Sequence, residues 1–379
     1  MPFEILKLRG QILTREWILA HFDALDPNRF GGVEAKALRF CGQWLAGTEE
    51  FQVQTSGSTG KPKTISLNRR QMALSARLTG QALDLKDGDQ ALVCLSPFHI
   101  GGVMMLVRGL ELGLEMTFVP PCANPLACSD LSPSAHFDFT AMVPLQLQTI
   151  LHGGRRHEAM LSRMKAILVG GAPVSEALVR LLRRIRSPVY QTFGMTETVS
   201  HIALRRLNGP SSSPEYKVLP GVQIGQDARG CLTIRSPLTN GQVLVSNDLV
   251  ELKSDSRFVW LGRLDNVINS GGVKVRAEKV EQAIAEVLED SVGRVDSNIA
   301  FLVAGVPDTR LGEKVVAVFE APEFTSPDQG EMLTRLSHKL AKYELPKALL
   351  FVPALVRAAN GKIDRRATLK RLLPSKSHS

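Results

Sequence analysis

Four short stretches of this sequence combine residue types that could do chemistry. The first is Thr55-Ser-Gly-Ser-Thr-Gly-Lys-Pro-Lys63. Its glycines let successive backbone N–H groups converge on an anion, and its hydroxyls and two lysines add donors around them. It is not a Walker-type loop, because Thr55 stands where the first glycine is required and Pro62 where Ser or Thr is required. A flexible Ser/Gly connector has the same composition. The second stretch, Thr192-Phe-Gly-Met-Thr-Glu197, sets a carboxylate beside a hydroxyl on a glycine turn. Mg²⁺ bound to phosphate takes such hard oxygen ligands, although a surface glutamate fits the pattern as well. The third, residues 261–274, places Arg263 two residues before Asp265 and ends in Gly271-Gly272, a hairpin turn. The fourth, Asn360-Gly-Lys-Ile-Asp-Arg365, puts Lys362 at the tip of an Asn-Gly turn. A lysine on a turn is ordinarily just solvated.

These stretches need elements to hold them. Residues 91–95 read as a short buried strand, and residues 167–170 as another that runs into the turn Gly170-Gly-Ala-Pro173. Ser175 suits the N-cap of a helix reaching Arg184, with Ala177, Leu178, Leu181 and Leu182 on one face. Asn68 and Gln71 suit a capping box where the first loop enters a helix. Strands alternating with helices predict an α/β fold with a largely parallel sheet. After Asn208 the texture changes. Short strands around 222–224, 231–235 and 242–245 predict a small β subdomain or barrel. Residues 277–288 read as an amphipathic helix, with Val280, Ile284, Val287 and Leu288 on its apolar face. Strands at 299–304 and 315–320 and a helix at 332–343 complete an α+β unit. The expected division is therefore a large N-terminal α/β domain over 1–262 with the β subdomain, and a mobile α+β C-terminal domain over 266–379. The hinge falls near 263–265.

Composition bounds the function classes. The chain has 379 residues, 44% apolar and 22% charged, enough for two to three domains that bury cores without disulfides. Forty-six basic against 37 acidic residues give +9, which suits polyanionic ligands, nucleotides included. Only 6% of residues are aromatic, which argues against stacking on single-stranded nucleic acid. Cys41, Cys94, Cys122, Cys128 and Cys231 form no C-x-x-C pair, so neither a zinc site nor a disulfide framework is expected. Residues 1–15 lack the apolar core of a signal peptide, and the apolar run 92–107 is broken by Pro97, His99 and paired glycines. The expectation is a cytoplasmic protein without membrane insertion. A homo-oligomer is compatible with the sequence.

Taken together and in this order, the motifs resemble the adenylate-forming superfamily: acyl- and aryl-CoA synthetases, nonribosomal peptide adenylation domains and luciferases. Residues 55–63 are similar to its phosphate-binding signature, Pro97-Phe-His99 to its gate segment, and Gly170–Pro173 to its adenine-contacting turn. Phe193–Glu197 matches its aromatic-Gly-x-Thr-Glu element, Gly262-Arg263-x-Asp265 its hinge, and Gly361-Lys362 its catalytic lysine motif. Gly305–Asp308 with Gly312-Glu313 fits its C-terminal pattern. Asp248 stands where a ribose-binding aspartate is expected, although Ser246-Asn247-Asp248 replaces the usual Thr-Gly-Asp and Thr64 replaces a common glycine. Fewer residues, Met1 to Gln54, precede the phosphate signature than in most members.

The resemblance implies ATP, Mg²⁺ and CoA as partners of a small carboxylic acid. The acid would attack the α-phosphorus of ATP, and a CoA thiol would then displace AMP. By the same resemblance Lys362 bridges the carboxylate and α-phosphate, Thr196 contacts that phosphate and Glu197 holds Mg²⁺. Thr55, Ser56, Gly57, Ser58, Thr59, Gly60 and Lys63 hold the pyrophosphate portion. Gly171, Ala172 and Pro173 contact the adenine, Phe193 and Gly194 bind the nucleotide as part of the aromatic-Gly-x-Thr-Glu element, and Asp248 and Arg263 address the ribose. Gly271 and Gly272 line the pantetheine path after the C-terminal domain rotates. His99 stands at the gate, with a core histidine as the alternative. Residues 196–205 look most like compact o-succinylbenzoate–CoA ligases of menaquinone biosynthesis. A ligase or carrier-loading enzyme for another acid, and a non-catalytic nucleotide-binding relative, are the other readings.

Overall fold

The computed structural model describes residues 4–55, 63–132, 134–290, 299–357 and 363–372. Thirteen strands form one sheet. Six of them, Ile5–Leu8, Glu115–Phe118, Gln90–Val93, Phe139–Met142, Ala166–Val169 and Val189–Gly194, lie side by side and parallel in that order. Their residues alternate between two cores. Ala91 and Val93 face one with Leu38, Met72 and Met105, whereas Leu92 joins the other with Leu147, Ile150 and Leu178. Helices cover both faces, as a parallel sheet buried on both sides requires. Among them are Gly32–Leu45, Arg69–Leu83 and Ile100–Leu112 against the first core and Pro144–His152 and Glu176–Leu181 against the second.

The chain steps from Gln90–Val93 to Glu115–Phe118 on one side, then returns to Phe139–Met142 on the other. The strand order therefore reverses at Gln90–Val93. In open α/β sheets ligands bind beyond the carboxyl ends of the strands at such a reversal.

Beyond Val189–Gly194 the sheet continues antiparallel through His201–Arg206, Tyr216–Val218, Arg257–Arg263, Val243–Ser254, Cys231–Arg235 and Gln223–Gln226. The expected β subdomain is thus an extension of the main sheet and not a closed barrel. The expected strand at 242–245 is the start of the twelve-residue strand Val243–Ser254.

A second sheet holds Val267–Ser270, Val273–Arg276, Phe301–Asp308, Gly312–Glu320 and Ala348–Val352. Helix Ala277–Asp290 packs its Val280, Ile284, Val287 and Leu288 into a core with Val303, Val315 and Phe319. The helix expected at 332–343 lies instead at Ser326–Ser337, where the Thr325 hydroxyl accepts the N–H of Asp328 and Pro327 fills the first turn. Thr-Ser-Pro is the stronger start signal, because proline lacks the N–H that a first turn leaves unpaired.

Candidate active site

The carboxyl ends of the parallel strands gather most of the described candidates. His99 follows Gln90–Val93, Gly170–Pro173 follows Ala166–Val169, and Thr196–Glu197 follows Val189–Gly194. His99 is exposed at the N-cap of helix Ile100–Leu112 and its side chain caps nothing. It is therefore a surface group at the strand reversal, and the core-histidine alternative does not hold.

Each turn is sterically specified. A Cβ on Gly170 would lie 2.2 Å from Thr192 Oγ1, the hydroxyl that donates to Val169 O at 3.3 Å. Gly171 has φ +81° and, with Ala172 and Pro173, forms an exposed turn ahead of the Ser175 cap. Ser175 Oγ accepts the N–H of Leu178 as expected. A Cβ on Gly194 would lie 2.2 Å from Ser200 O, because the chain doubles back there. Phe193, half-buried, meets Tyr216 and Phe258 in edge-to-face ring contacts that anchor the strand.

Thr196–Thr198 is a single 3₁₀ turn that leaves Glu197 exposed and Thr196 half-buried. Thr198 is buried, and its hydroxyl accepts Met195 N–H at 3.0 Å. Val199 then takes φ 66°, ψ −51°, and Ser200 N–H donates to Thr198 O at 2.7 Å. This is a γ-turn of the rare positive-φ kind, strained for a β-branched residue. Such strain persists only where packing over-determines it, and Val199 is fully buried. The turn throws Glu197 outward and Ser200 and His201 inward.

His201 enters a buried cluster that the sequence did not assemble. Arg108, on helix Ile100–Leu112, is 2% exposed and His201 5%. Arg108 Nε donates to Thr79 Oγ1 at 3.3 Å and Nη2 to Ser200 Oγ at 3.0 Å. Nη2 also faces His201 Nδ1 at 3.4 Å, and His201 Nε2 lies 3.2 Å from Thr79 Oγ1. Arginine only donates, so Nδ1 accepts and the imidazole proton sits on Nε2. Among the described residues no carboxylate pairs with Arg108. Burial alone pulls its pKa down to about 10, so it stays charged near neutrality. Burial first, then Arg108, holds His201 well below its usual 6.5, hence neutral. The legible signals were His201, placed shortly after Glu197, and a lone arginine within the apolar run 103–110.

A histidine neutral when folded but free to protonate when unfolded makes stability depend on acid. The unfolded chain binds the extra proton below about 6.5, so stability is full above that value and falls as pH drops through it. The slope reaches about 1.4 kcal/mol per pH unit. We expect His201→Gln to lose less melting temperature than the parent between about pH 7 and pH 5; equal losses would contradict a buried neutral imidazole.

Asp248 lies buried on Val243–Ser254, where Trp260 Nε1 donates to its Oδ1 at 2.9 Å and Arg263 Nη1 stands 3.9 Å from its Oδ2. Burial raises the Asp248 pKa, opposed by the Trp260 bond and the Arg263 charge. Arg263 also donates to Asp265 Oδ2 at 2.8 Å, and Asn247 Nδ2 to Asp265 Oδ1 at 3.1 Å. Trp260 carries no local signature, because its pairing with Asp248 depends on strand register.

The Asn68–Gln71 capping box forms, with N–H···O distances of 2.8 and 3.2 Å. The strands Glu50–Thr55 and Lys63–Asn68 pair up to Thr55 opposite Lys63. Ser56, Gly57, Ser58, Thr59 and Gly60 lie outside the described residues, as does Lys362. Gly271 and Gly272, at φ +62° and +81°, make the two-residue turn between Val267–Ser270 and Val273–Arg276. A Cβ on Gly271 would approach Tyr343 Cε1 to 2.9 Å. A cavity of about 580 Å³ beside Arg9, Cys122 and Cys128 contains none of the candidates.

A family model for AMP-binding enzymes matches residues 53–239. The chain is 28% identical over 359 residues to the 2-succinylbenzoate–CoA ligase of Bacillus cytotoxicus, covering 86% of this chain and 70% of that one. It is 28% identical over 353 residues to the indoleacetate–CoA ligase of Aromatoleum aromaticum, covering 85% and 67%. A solved acyl-CoA synthetase (AMP-forming)/AMP-acid ligase II-like protein from Dyadobacter fermentans is 44% identical, with a TM-score of 0.60 over 93% of this chain and 98% of that one. A likeness of that depth, nearly end to end in both proteins, makes this chain a member of the AMP-binding enzyme family, an ATP-dependent ligase that forms AMP.

Proposed function

We propose that the enzyme joins CoA to an aromatic keto-acid bearing two carboxylates, with o-succinylbenzoate as the substrate and menaquinone biosynthesis as the setting. The observation that carries this reading is Arg108, a buried cation with no carboxylate of its own among the described residues, next to the Thr196–Ser200 turn. An uncompensated buried charge is costly, so a site that keeps one is built to receive an anion. One carboxylate of the acid reacts; the second meets Arg108. A monoacid leaves the arginine unanswered.

In the first half-reaction a carboxylate oxygen forms a bond to the α-phosphorus of ATP, and pyrophosphate leaves with the electron pair of the broken P–O bond. Both reactants are anionic, so the protein's part is to position them and offset their repulsion. Lys362 is assigned that charge, and Thr196 a hydrogen bond to the α-phosphate. In the second, the CoA sulfur, its proton passing to solvent, bonds to the acyl carbon, and AMP departs with the electron pair of the broken acyl C–O bond. Glu197 would hold Mg²⁺, which would offset part of the phosphate charge when bound. Among the described residues no three His, Cys, Asp or Glu side chains gather into a metal site. Glu197, single and exposed, fits a Mg²⁺ ion that takes its other ligands from phosphate and water.

Asp248 is assigned to the ribose, since Trp260 and Arg263 fix its carboxylate while leaving acceptor capacity. Asp248→Asn is expected to raise the KM for ATP about tenfold or more, the scale of a hydrogen bond to a charged group. An unchanged KM would remove Asp248 from the nucleotide site. AMP release that requires free CoA tests the thiol assignment, and release driven instead by an acylated carrier protein would replace it.

A further inference from the structure

We infer that His201 and Thr79 are positioning residues for Arg108: together they lock the guanidinium plane so that its remaining amino group meets the second carboxylate of the acid. This rests on the diacid reading above and extends it to residues that never touch substrate.

Arg108 carries N–H groups on three nitrogens. Nε and Nη2 are committed to Thr79, Ser200 and His201, all neutral acceptors. The Nη1 amino group donates to no described residue. The side chain is thus held along one edge, and the opposite edge keeps both its charge and its donors.

Thr79 and His201 reach the guanidinium from two different elements, helix Arg69–Leu83 and strand His201–Arg206. The Thr79 hydroxyl donates to Ser75 O at 3.0 Å, so its lone pairs are turned toward Arg108 Nε and His201 Nε2. That donation fixes the hydroxyl, the hydroxyl fixes the imidazole tautomer, and the tautomer presents Nδ1 to Nη2. The γ-turn at Val199 and a register shift between His201 and Ala203 aim the ring inward. Bulges next to active sites commonly re-aim a side chain in this way. A carboxylate in place of His201 would hold Arg108 as firmly but would neutralise it.

The test compares kcat/KM for pyrophosphate release with o-succinylbenzoate and with the two monoacids made by deleting either of its carboxylates. Thr79→Val keeps shape and removes the acceptor; His201→Phe keeps volume and removes both ring nitrogens. Each is expected to lower the diacid-over-monoacid ratio about tenfold, mostly through KM for the acid. Thr79→Ser and His201→Gln, which restore the hydrogen bonds, should bring the ratio back toward the parent value. A purely structural role would lower all acids alike together with the melting temperature, and that result overturns the proposal. Arg108→Lys separates the proposal from its foundation. If it collapses the ratio while Thr79→Val and His201→Phe do not, the diacid reading stands and the positioning role falls. If Arg108→Lys leaves the ratio intact, the diacid reading itself fails. Should His201→Phe not fold, the Thr79 pair decides alone.

Discussion

Lys362→Ala is expected to lower pyrophosphate formation about a hundredfold or more, while thioester formation from supplied acyl-adenylate and CoA is largely spared. The first half-reaction brings a carboxylate against an already anionic phosphate, and a fixed cation between them is worth most as the atoms approach. Loss of a single preorganised donor in such a transition state costs about 10² to 10³ in rate. The second half-reaction has no such pair of anions to hold together, since a thiol attacks an already activated carbonyl. Half-reaction assays with purified acyl-adenylate separate the two. Equal losses in both would mean that Lys362 does not leave between steps, and would count against the hinge proposed near 263–265.

Arg108→Met is the second large effect, and it is expected to move activity and stability in opposite directions. Methionine fills a similar volume without a charge. The parent holds a guanidinium out of water with no carboxylate to answer it, and removing an unpaired buried ion relieves several kcal/mol of desolvation. Thr79, Ser200 and His201 lose a donor each, which offsets part of the gain. The ligand-free variant should therefore melt higher than the parent, while kcat/KM for the diacid falls about a hundredfold, the scale of deleting one partner of a buried charge pair. Sites kept for binding at the expense of stability commonly behave so. A variant that melts lower and retains its preference for the diacid would make Arg108 an ordinary structural group.

What the sequence made legible was local. The Asn68–Gln71 box, the Ser175 cap and the apolar positions 280, 284, 287 and 288 are read within one or two helical turns, and each is found as expected. The strand-then-turn pattern at Gly170–Pro173 is local too, and the structure sets that turn at the carboxyl edge of the sheet; the strand Val189–Gly194 that carries Phe193 was not read from the sequence. What stayed hidden depends on pairing across the chain. Tyr216–Val218 slips between His201–Arg206 and Arg257–Arg263, and that insertion joins the expected β subdomain to the main sheet as one continuous sheet. Arg108 and His201 are 93 positions apart, with Thr79 on a third element, so their cluster exists only once the helices have docked on the sheet. The Trp260 bond to Asp248 likewise follows from a register with irregularities between them. That His99 is not a core histidine follows from its exposure, which no single-sequence pattern supplies.

The measurement that tests the central claim most directly is pyrophosphate release from ATP and Mg²⁺ by the unaltered enzyme, run with o-succinylbenzoate, its two monoacid relatives and indoleacetate. Release with the diacid well above every monoacid, followed by CoA-dependent release of AMP, is the predicted result. Release that is as fast with a monoacid as with the diacid would contradict it, leaving an AMP-forming ligase whose buried arginine serves something other than its substrate.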